Sequence, residues 1–233
     1  MAITAEENAR FLSLVRSLSP DDWSHQTDCA AWDVRKLTLH LIGSADAQAS
    51  FREFVHQARA GMKLFKEIGG EHWVDGLNEI QIRERASIPN DHLADTWRTA
   101  SARALKARTR MPAPVRALPL LPLGPPVGRK PLGYLFDMGF TRDVWCHRID
   151  VTRPLGRQMH LTPEHDGRIL ADIVAEWAKL HGEPFTLRLT GPAGGTFTSG
   201  TNGDDRELDA LEFVRILSGR ASGDGVLRHG LPL

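Results

Sequence analysis

Apolar residues recur every three or four positions along most of the chain up to Ile149, and this spacing predicts amphipathic helices. The first apolar stripe runs from Phe11 to Leu18 and ends at Ser19-Pro20. Proline, glycine or a capping side chain delimits the predicted helices, which cover residues 4–18, 34–60, 74–86, 90–110 and 131–149. Together they predict a bundle with four main helices.

The pattern changes toward the C-terminus. Thr162-Pro163-Glu164 is a strong helix start, and His181-Gly182 ends that helix. Residues 185–190 then alternate apolar and polar side chains, as in a half-buried strand, and 196–198 are predicted to form the returning strand. A short helix is predicted at 209–217.

The change of period at about residue 183 indicates a second, smaller unit. We therefore expect an α+β protein, with a helical bundle over residues 1–158 and a small α/β C-terminal domain over 159–233. Residues 111–131 contain seven prolines and form a loop within the bundle region. Loops of this length are usually functional or mobile, and this one is expected either to line a substrate cleft or to pack on a partner subunit.

Composition and charge restrict the function. Lys plus Arg and Asp plus Glu both number 29, so the zero net charge gives no electrostatic argument for binding nucleic acid or an anionic membrane. The acidic N-terminus lacks the apolar segment of a signal peptide. The two cysteines, Cys29 and Cys146, suit a reducing compartment. We therefore expect a soluble, cytoplasmic protein.

Basic residues cluster near the end of the predicted helix at 90–110, among them Arg103 and Arg108. They are interpreted as a solvated helix end, because Lys and Arg favour helix C-termini. Nucleotide-binding fingerprints, P-loops and His-Glu-x-x-His elements are absent from the sequence.

Residues 141–150 carry the most specific chemistry. In a helix, Asp143 and His147 are spaced i, i+4, which places a carboxylate and an imidazole side by side. Asp150 falls on the same face and is positioned to accept the second ring N–H of His147. A catalytic metal site needs about three protein ligands, and His40, at the edge of a core-facing stripe, is the best candidate for the third. Read alone, the same residues also fit a solvated helix face and a hydrogen-bonded histidine.

A family resemblance favours the metal interpretation. Trp23, Thr27, Trp32-Asp33-Val34 and His40, followed by an acid-x-x-x-His-Arg-x-Asp element, resemble the DinB-like metal-binding bundle of the mycothiol-dependent maleylpyruvate isomerase family. The resemblance covers nearly the whole chain, since the segment from about Phe185 is similar to that family's small C-terminal domain. It implies a DinB-like four-helix bundle followed by a small α/β domain.

The resemblance also implies a function. In that family a divalent ion is held by residues that match His40, Asp143 and His147, and the sulfur of mycothiol takes the open position as an activated thiolate nucleophile. The type member has glutamate where this chain has Asp143, so either the helix must come closer or a water must bridge. Zinc is the first choice of metal, with nickel, cobalt and iron as alternatives.

The resemblance further suggests an arginine of the small domain that binds a carboxylate of the substrate. Arg220 is the candidate, and a surface arginine at a helix end is the alternative interpretation. The leading hypothesis is thus a mycothiol-dependent isomerase or S-transferase acting on a small electrophilic molecule. A hydrolase that uses metal-bound water and a non-catalytic metal- or ligand-binding protein are the alternatives, and a homodimer is left open.

Overall fold

The computed structural model describes residues 1–69, 73–122 and 127–231. The chain divides into two units, one comprising Met1–Leu118 and Pro131–Arg157, the other Pro119–Lys130 and Gln158–Leu233. Within the described ranges, no helix combines the length and the apolar character needed to cross a membrane.

The first unit is helical. Its helices are α1 (Ala2–Arg16), α2 (Val34–Ala49), α3 (Phe51–Ile68), α4 (Trp73–Arg83), α5 (Leu93–Arg110), α6 (Ala113–Arg116), α7 (Leu132–Tyr134) and α8 (Phe140–Thr152). Single 3-10 turns cover Asp21–Ser24 and Asn90–His92, and one π-helical turn, Leu135–Gly139, leads into α8.

Helices α1, α2, α5 and α8 form the four-helix bundle that the apolar stripes predict. Helices α1 and α2 each pack against both α5 and α8, while α3 and α4 pair with each other and lie against α2. The bundle core is apolar and includes Phe11 and Trp97, whose rings meet edge to face with centroids 5.2 Å apart. The predicted fold class is confirmed. Packing of the apolar core determines which side of α2 faces α8.

The single helix predicted over residues 34–60 is wrong. The backbone of Ser50 is extended, with φ −144° and ψ 118°, and its hydroxyl accepts the Glu53 N–H, so Ser50 caps a new helix. Gly61, predicted to end the helix, instead lies inside α3, where a Cβ would approach the backbone of Leu77 within 2.7 Å. The glycine therefore allows α4 to approach α3 closely rather than ending the helix.

The interpretation of Arg108 as part of a solvated helix end is also wrong. Arg108 is 3 % exposed, and it donates hydrogen bonds to Gln48 of α2 at 2.8 Å, to Thr4 of α1 at 3.4 Å and to Thr141 of α8 at 3.2 Å. One polar side chain from each bundle helix therefore meets at this point. Burial lowers the pKa of the guanidinium to about 10, so it stays charged at neutral pH.

The second unit combines two helices with a small sheet. Its elements are β1 (Leu121–Pro122), β2 (Arg129–Lys130), α9 (Arg168–His181), β3 (Phe185–Thr190), β4 (Gly195–Ser199), β5 (Asp204–Asp209) and α10 (Ala210–Leu217), with a π-helical turn at Pro163–Gly167 and a 3-10 turn at Gly225–Arg228. Strand β3 lies between β4, to which it is antiparallel, and β5, to which it is parallel.

The sequence of strand β5 lacks the apolar–polar alternation from which strands are predicted. Five of its six residues are charged, and only Leu208 is apolar. The strand forms by backbone pairing with β3, whose residues Leu187 and Leu189 are buried. The sequence of the central strand β3 therefore shows the apolar–polar alternation that predicts a strand, whereas the sequence of the edge strand β5 does not.

The proline-rich segment is not a featureless loop. It contains α6 and the antiparallel pair β1 and β2, and residues 123–126 within it lie outside the described residues. Its predicted role in a cleft or at a partner subunit stays a prediction.

Candidate metal centre

Three side chains that are distant in sequence converge between α2 and α8. His40 projects from α2, and Asp143 and His147 project from adjacent turns of α8. One donor atom from each residue lies within 4.8 Å of the other two. Both histidine side chains are buried, at 7 % exposure, while the Asp143 side chain is 26 % exposed, so one side of the cluster is open.

The distance from each imidazole to the Asp143 carboxylate is close to that between two ligands of one small divalent ion, and each imidazole faces a different carboxylate oxygen. His147 Nε2 lies 3.4 Å from Asp143 Oδ1, and His40 Nε2 lies 3.6 Å from Asp143 Oδ2. Two ligands of a tetrahedral zinc ion, each about 2.1 Å from the metal, are about 3.4 Å apart. Two imidazoles and a carboxylate are also the ligand types found in catalytic zinc sites with three protein ligands.

Asp150 lies behind His147, as the sequence suggests. Its Oδ2 is 2.7 Å from His147 Nδ1, and Asp150 is completely buried. A neutral His147 that donates through Nδ1 presents the lone pair of Nε2 toward Asp143 and His40. This is the usual arrangement behind a metal-bound histidine.

His40 differs from His147. Neither of its ring nitrogens has a hydrogen-bond partner among the described residues, although both nitrogens are buried. A buried polar group left without a partner costs about 1–3 kcal/mol. A metal ion bound at one nitrogen would remove part of this cost, so the three side chains of the cluster fit a divalent metal ion.

The charges of the cluster are coupled. Burial raises the pKa of Asp143, but the side chains of His147 and His40 outweigh burial, so the pKa lies well below its usual value. Burial lowers the pKa of His147, but Asp143 and Asp150 outweigh it and raise this pKa to about 9. Without metal, Asp143 and His147 are therefore an ion pair at neutral pH, and metal binding must displace a proton.

A loop before α2 closes one side of the cluster with an indole ring. Trp32 lies against His40 with ring centroids 4.8 Å apart and against His147 with centroids 5.7 Å apart. The loop is ordered by its own polar residues. Thr27 Oγ1 donates to the Trp32 carbonyl at 2.6 Å, and Asp33 caps α2 by accepting the Lys36 N–H at 2.7 Å.

The contact between Trp32 and the histidines was not predicted, since these residues served only as markers of the family. The capping aspartate directly before α2 is the signal that could have placed Trp32 beside the first turns of the helix that carries His40.

Arg220 lies in the second unit, just after α10. It is partly buried, and its Nη1 is 3.5 Å from the Ser218 carbonyl. Its predicted role toward a substrate stays a prediction. Neither cysteine forms a disulfide bond within the described residues; Cys146 is buried in α8 and Cys29 is partly exposed.

Known proteins are similar to this chain in sequence and in fold. A family model described as the mycothiol maleylpyruvate isomerase N-terminal domain matches residues 4–152. Two similar crystal structures are those of the mycothiol-dependent maleylpyruvate isomerase and of a histidine-to-alanine mutant of it. Each is 18% identical to this chain and superposes with a TM-score of 0.58, and the match covers 96% of this chain and 89% of the other chain. No curated protein matches significantly. At this identity the solved structures show a shared fold.

Proposed function

This chain belongs to the mycothiol maleylpyruvate isomerase family, and on that premise we propose that it is a metal- and mycothiol-dependent isomerase or S-transferase acting on a small electrophilic molecule. The ligands are His40, Asp143 and His147, and zinc is the metal we expect first. The observation that carries the proposal is the buried imidazole of His40, which has no hydrogen-bond partner among the described residues and lies beside an aspartate and a second histidine.

The charge of the ligand set favours a thiolate. Two neutral imidazoles and one carboxylate leave a net charge of about +1 when they hold a divalent ion, so an anionic fourth ligand is favoured. A divalent ion bound here would supply a Lewis acid that keeps a coordinated thiol deprotonated at neutral pH. Because Asp143 is the most exposed of the three ligands, its side of the cluster offers the approach for thiol and substrate.

The surrounding residues prepare the site. Asp150 accepts a hydrogen bond from Nδ1–H of His147, which keeps the proton on Nδ1 and Nε2 directed at the metal position. Trp32 covers both imidazoles and excludes water from that side. Arg220 is the residue that we propose for binding a carboxylate of the substrate, since a guanidinium matches a carboxylate in charge and geometry.

The test combines metal content with thiol response. We expect purified protein to hold close to one equivalent of zinc, and the cobalt-substituted protein to gain a thiolate charge-transfer band when mycothiol is added. His147→Ala should abolish stoichiometric binding. His92→Ala should not, because the His92 side chain is 69% exposed and lies outside the cluster.

The outcomes separate the alternatives. Metal in the protein without a thiol response, together with hydrolysis in the absence of thiol, would replace this proposal by the hydrolase hypothesis. Full metal occupancy in His147→Ala would refute the ligand set.

A further inference from the structure

The two histidines of the candidate centre are held in place in different ways. His147 is oriented by Asp150, whose carboxylate lies 2.7 Å from Nδ1. His40 has no hydrogen bond at either nitrogen within the described part of the chain, and its polar neighbour, Asp143 Oδ2, is 3.6 Å from Nε2. Metal-binding histidines are almost always oriented by a hydrogen bond at the second ring nitrogen. His40 therefore needs another source of orientation.

Trp32 provides a flat surface for the His40 ring. The indole and the imidazole are 4.8 Å apart between centroids and inclined by 30°, which is close to an offset stack. The His40 and His147 rings meet edge to face, with centroids 5.2 Å apart and an angle of 86°. The His40 ring is thus confined between the indole on one side and a second imidazole, nearly perpendicular to it, on another.

Trp32 itself is fixed relative to α8, the helix that carries the other ligands. The backbone N–H of Trp32 donates to the Cys29 carbonyl at 2.9 Å, and the Trp32 carbonyl accepts the Thr27 hydroxyl at 2.6 Å. In the same loop, the Asp28 N–H donates to the Asp150 carbonyl at 3.0 Å. Asp150 therefore positions His147 with its carboxylate and the Trp32 loop with its backbone.

We propose that Trp32 is the positioning residue of His40, and that its indole stack takes the place of the missing hydrogen bond in preparing this imidazole to bind a metal. The inference rests on the proposed function, in which the cluster holds a divalent ion. A stack fixes the plane of the ring but not the tautomer, whereas Asp150 fixes both for His147. Removing the indole leaves His40 free to rotate, and metal affinity falls while the ligands stay intact.

The experiment compares cobalt affinity in four proteins: the wild type, Trp32→Leu, Trp32→Phe and Trp23→Leu. Trp32→Leu removes the ring, and we expect affinity to fall about 10-fold to 100-fold, as with loss of an outer-shell partner. Trp32→Phe keeps an aromatic face and should restore most of the affinity. Trp23→Leu is the matched control, because Trp23 is a core indole without ring contact to either histidine among the described residues.

A second variant and a spectrum separate positioning from simple loss of stability. Thr27→Val leaves the indole in place but removes the shortest of the three hydrogen bonds to the Trp32 carbonyl, whose other donors are the Gln26 side chain and the Thr27 backbone N–H. It should weaken cobalt binding in the same direction by a smaller factor. The visible absorption of bound cobalt should broaden in Trp32→Leu and not in Trp23→Leu, since only the former disturbs a ligand.

Equal cobalt affinity in the wild type and in folded Trp32→Leu, checked by circular dichroism, would overturn the proposal. If Trp32→Leu does not fold, unchanged affinity in Thr27→Val has the same consequence. Failure of the wild-type chain itself to bind cobalt would overturn the proposed function, and this inference with it.

Discussion

The length of the Asp143 side chain determines whether its carboxylate can reach both histidines of the candidate centre. The family resemblance read from the sequence implies a glutamate at this position, so the shorter aspartate left open whether the helices approach or a water bridges. Each carboxylate oxygen of Asp143 faces one imidazole, at 3.4 Å from His147 and 3.6 Å from His40. The shorter side chain of Asp143 therefore faces both imidazoles at these distances without an additional methylene.

Asp143→Asn should weaken zinc binding by at least the roughly 10-fold to 100-fold that follows loss of an outer-shell partner. The amide keeps the shape of the side chain but loses the charge that attracts the ion and balances both imidazoles. Competition titration with a chromophoric chelator measures the change. Asp137→Asn, at a partly exposed carboxylate paired with Arg116, is the control and should bind zinc normally. Similar zinc affinity in both variants would contradict the role of Asp143.

The raised pKa of His147 predicts the pH dependence of stability in the metal-free protein. Its folded-state pKa of about 9 lies above the ordinary 6.5. The contribution of protonated His147 to the free energy of unfolding is therefore fully present below pH 6.5 and is lost as the pH rises through about 9. At most about 3–4 kcal/mol is involved, from about 1.4 kcal/mol per pKa unit. Denaturant unfolding of metal-free protein at pH 6 and pH 10 measures the loss.

Asp150→Asn is the companion variant for that measurement. It removes one of the two carboxylates that raise the pKa of His147, so the decrease in unfolding free energy between pH 6 and pH 10 should be smaller. An equal decrease in both proteins would show that His147 is not its source.

At the scale of elements, the sequence predicted what depends on periodicity and missed what depends on contacts between elements. Apolar stripes predicted the bundle helices, and the i, i+4 spacing placed Asp143 beside His147. The break at Ser50 was missed because the apolar pattern continues through it, and β5 was missed because pairing with β3 needs no apolar side chains. The Trp32 contact depends on loop geometry, which periodicity does not report.

Gly61 tests one of those missed contacts. Gly61→Ala should destabilise the protein by about 1–3 kcal/mol, because the added Cβ would lie 2.7 Å from the Leu77 backbone and force α3 and α4 apart. Helix propensity alone predicts the opposite sign, a gain of about 1 kcal/mol. Thermal or denaturant unfolding distinguishes the two signs.

Ala60→Gly, at the preceding position of α3, is the reference for that experiment, because it reports helix propensity there and should cost about 1 kcal/mol. A stabilised Gly61→Ala protein would show that close packing of α3 on α4 is not what requires glycine.

At the scale of the whole molecule, the candidate ligands and the residues that orient them all belong to the first unit. Arg220 belongs to the second unit. This division predicts that metal binding and substrate binding can be changed separately by substitutions in different units.

Arg220→Met is the substitution that tests the separation. Metal content and the cobalt thiolate band should be unchanged, since the three ligands and Trp32 are untouched. With maleylpyruvate as the first probe and mycothiol present, kcat/KM should fall about 10-fold to 100-fold, as expected for losing a charged hydrogen bond worth about 1.5–3 kcal/mol. Arg228→Met is the matched control, because its side chain is 62% exposed and pairs with Glu183 in the same unit. If Arg220→Met retains the kcat/KM of Arg228→Met, the carboxylate of the substrate is bound by another residue. Loss of metal from Arg220→Met would show that metal binding is not independent of the second unit.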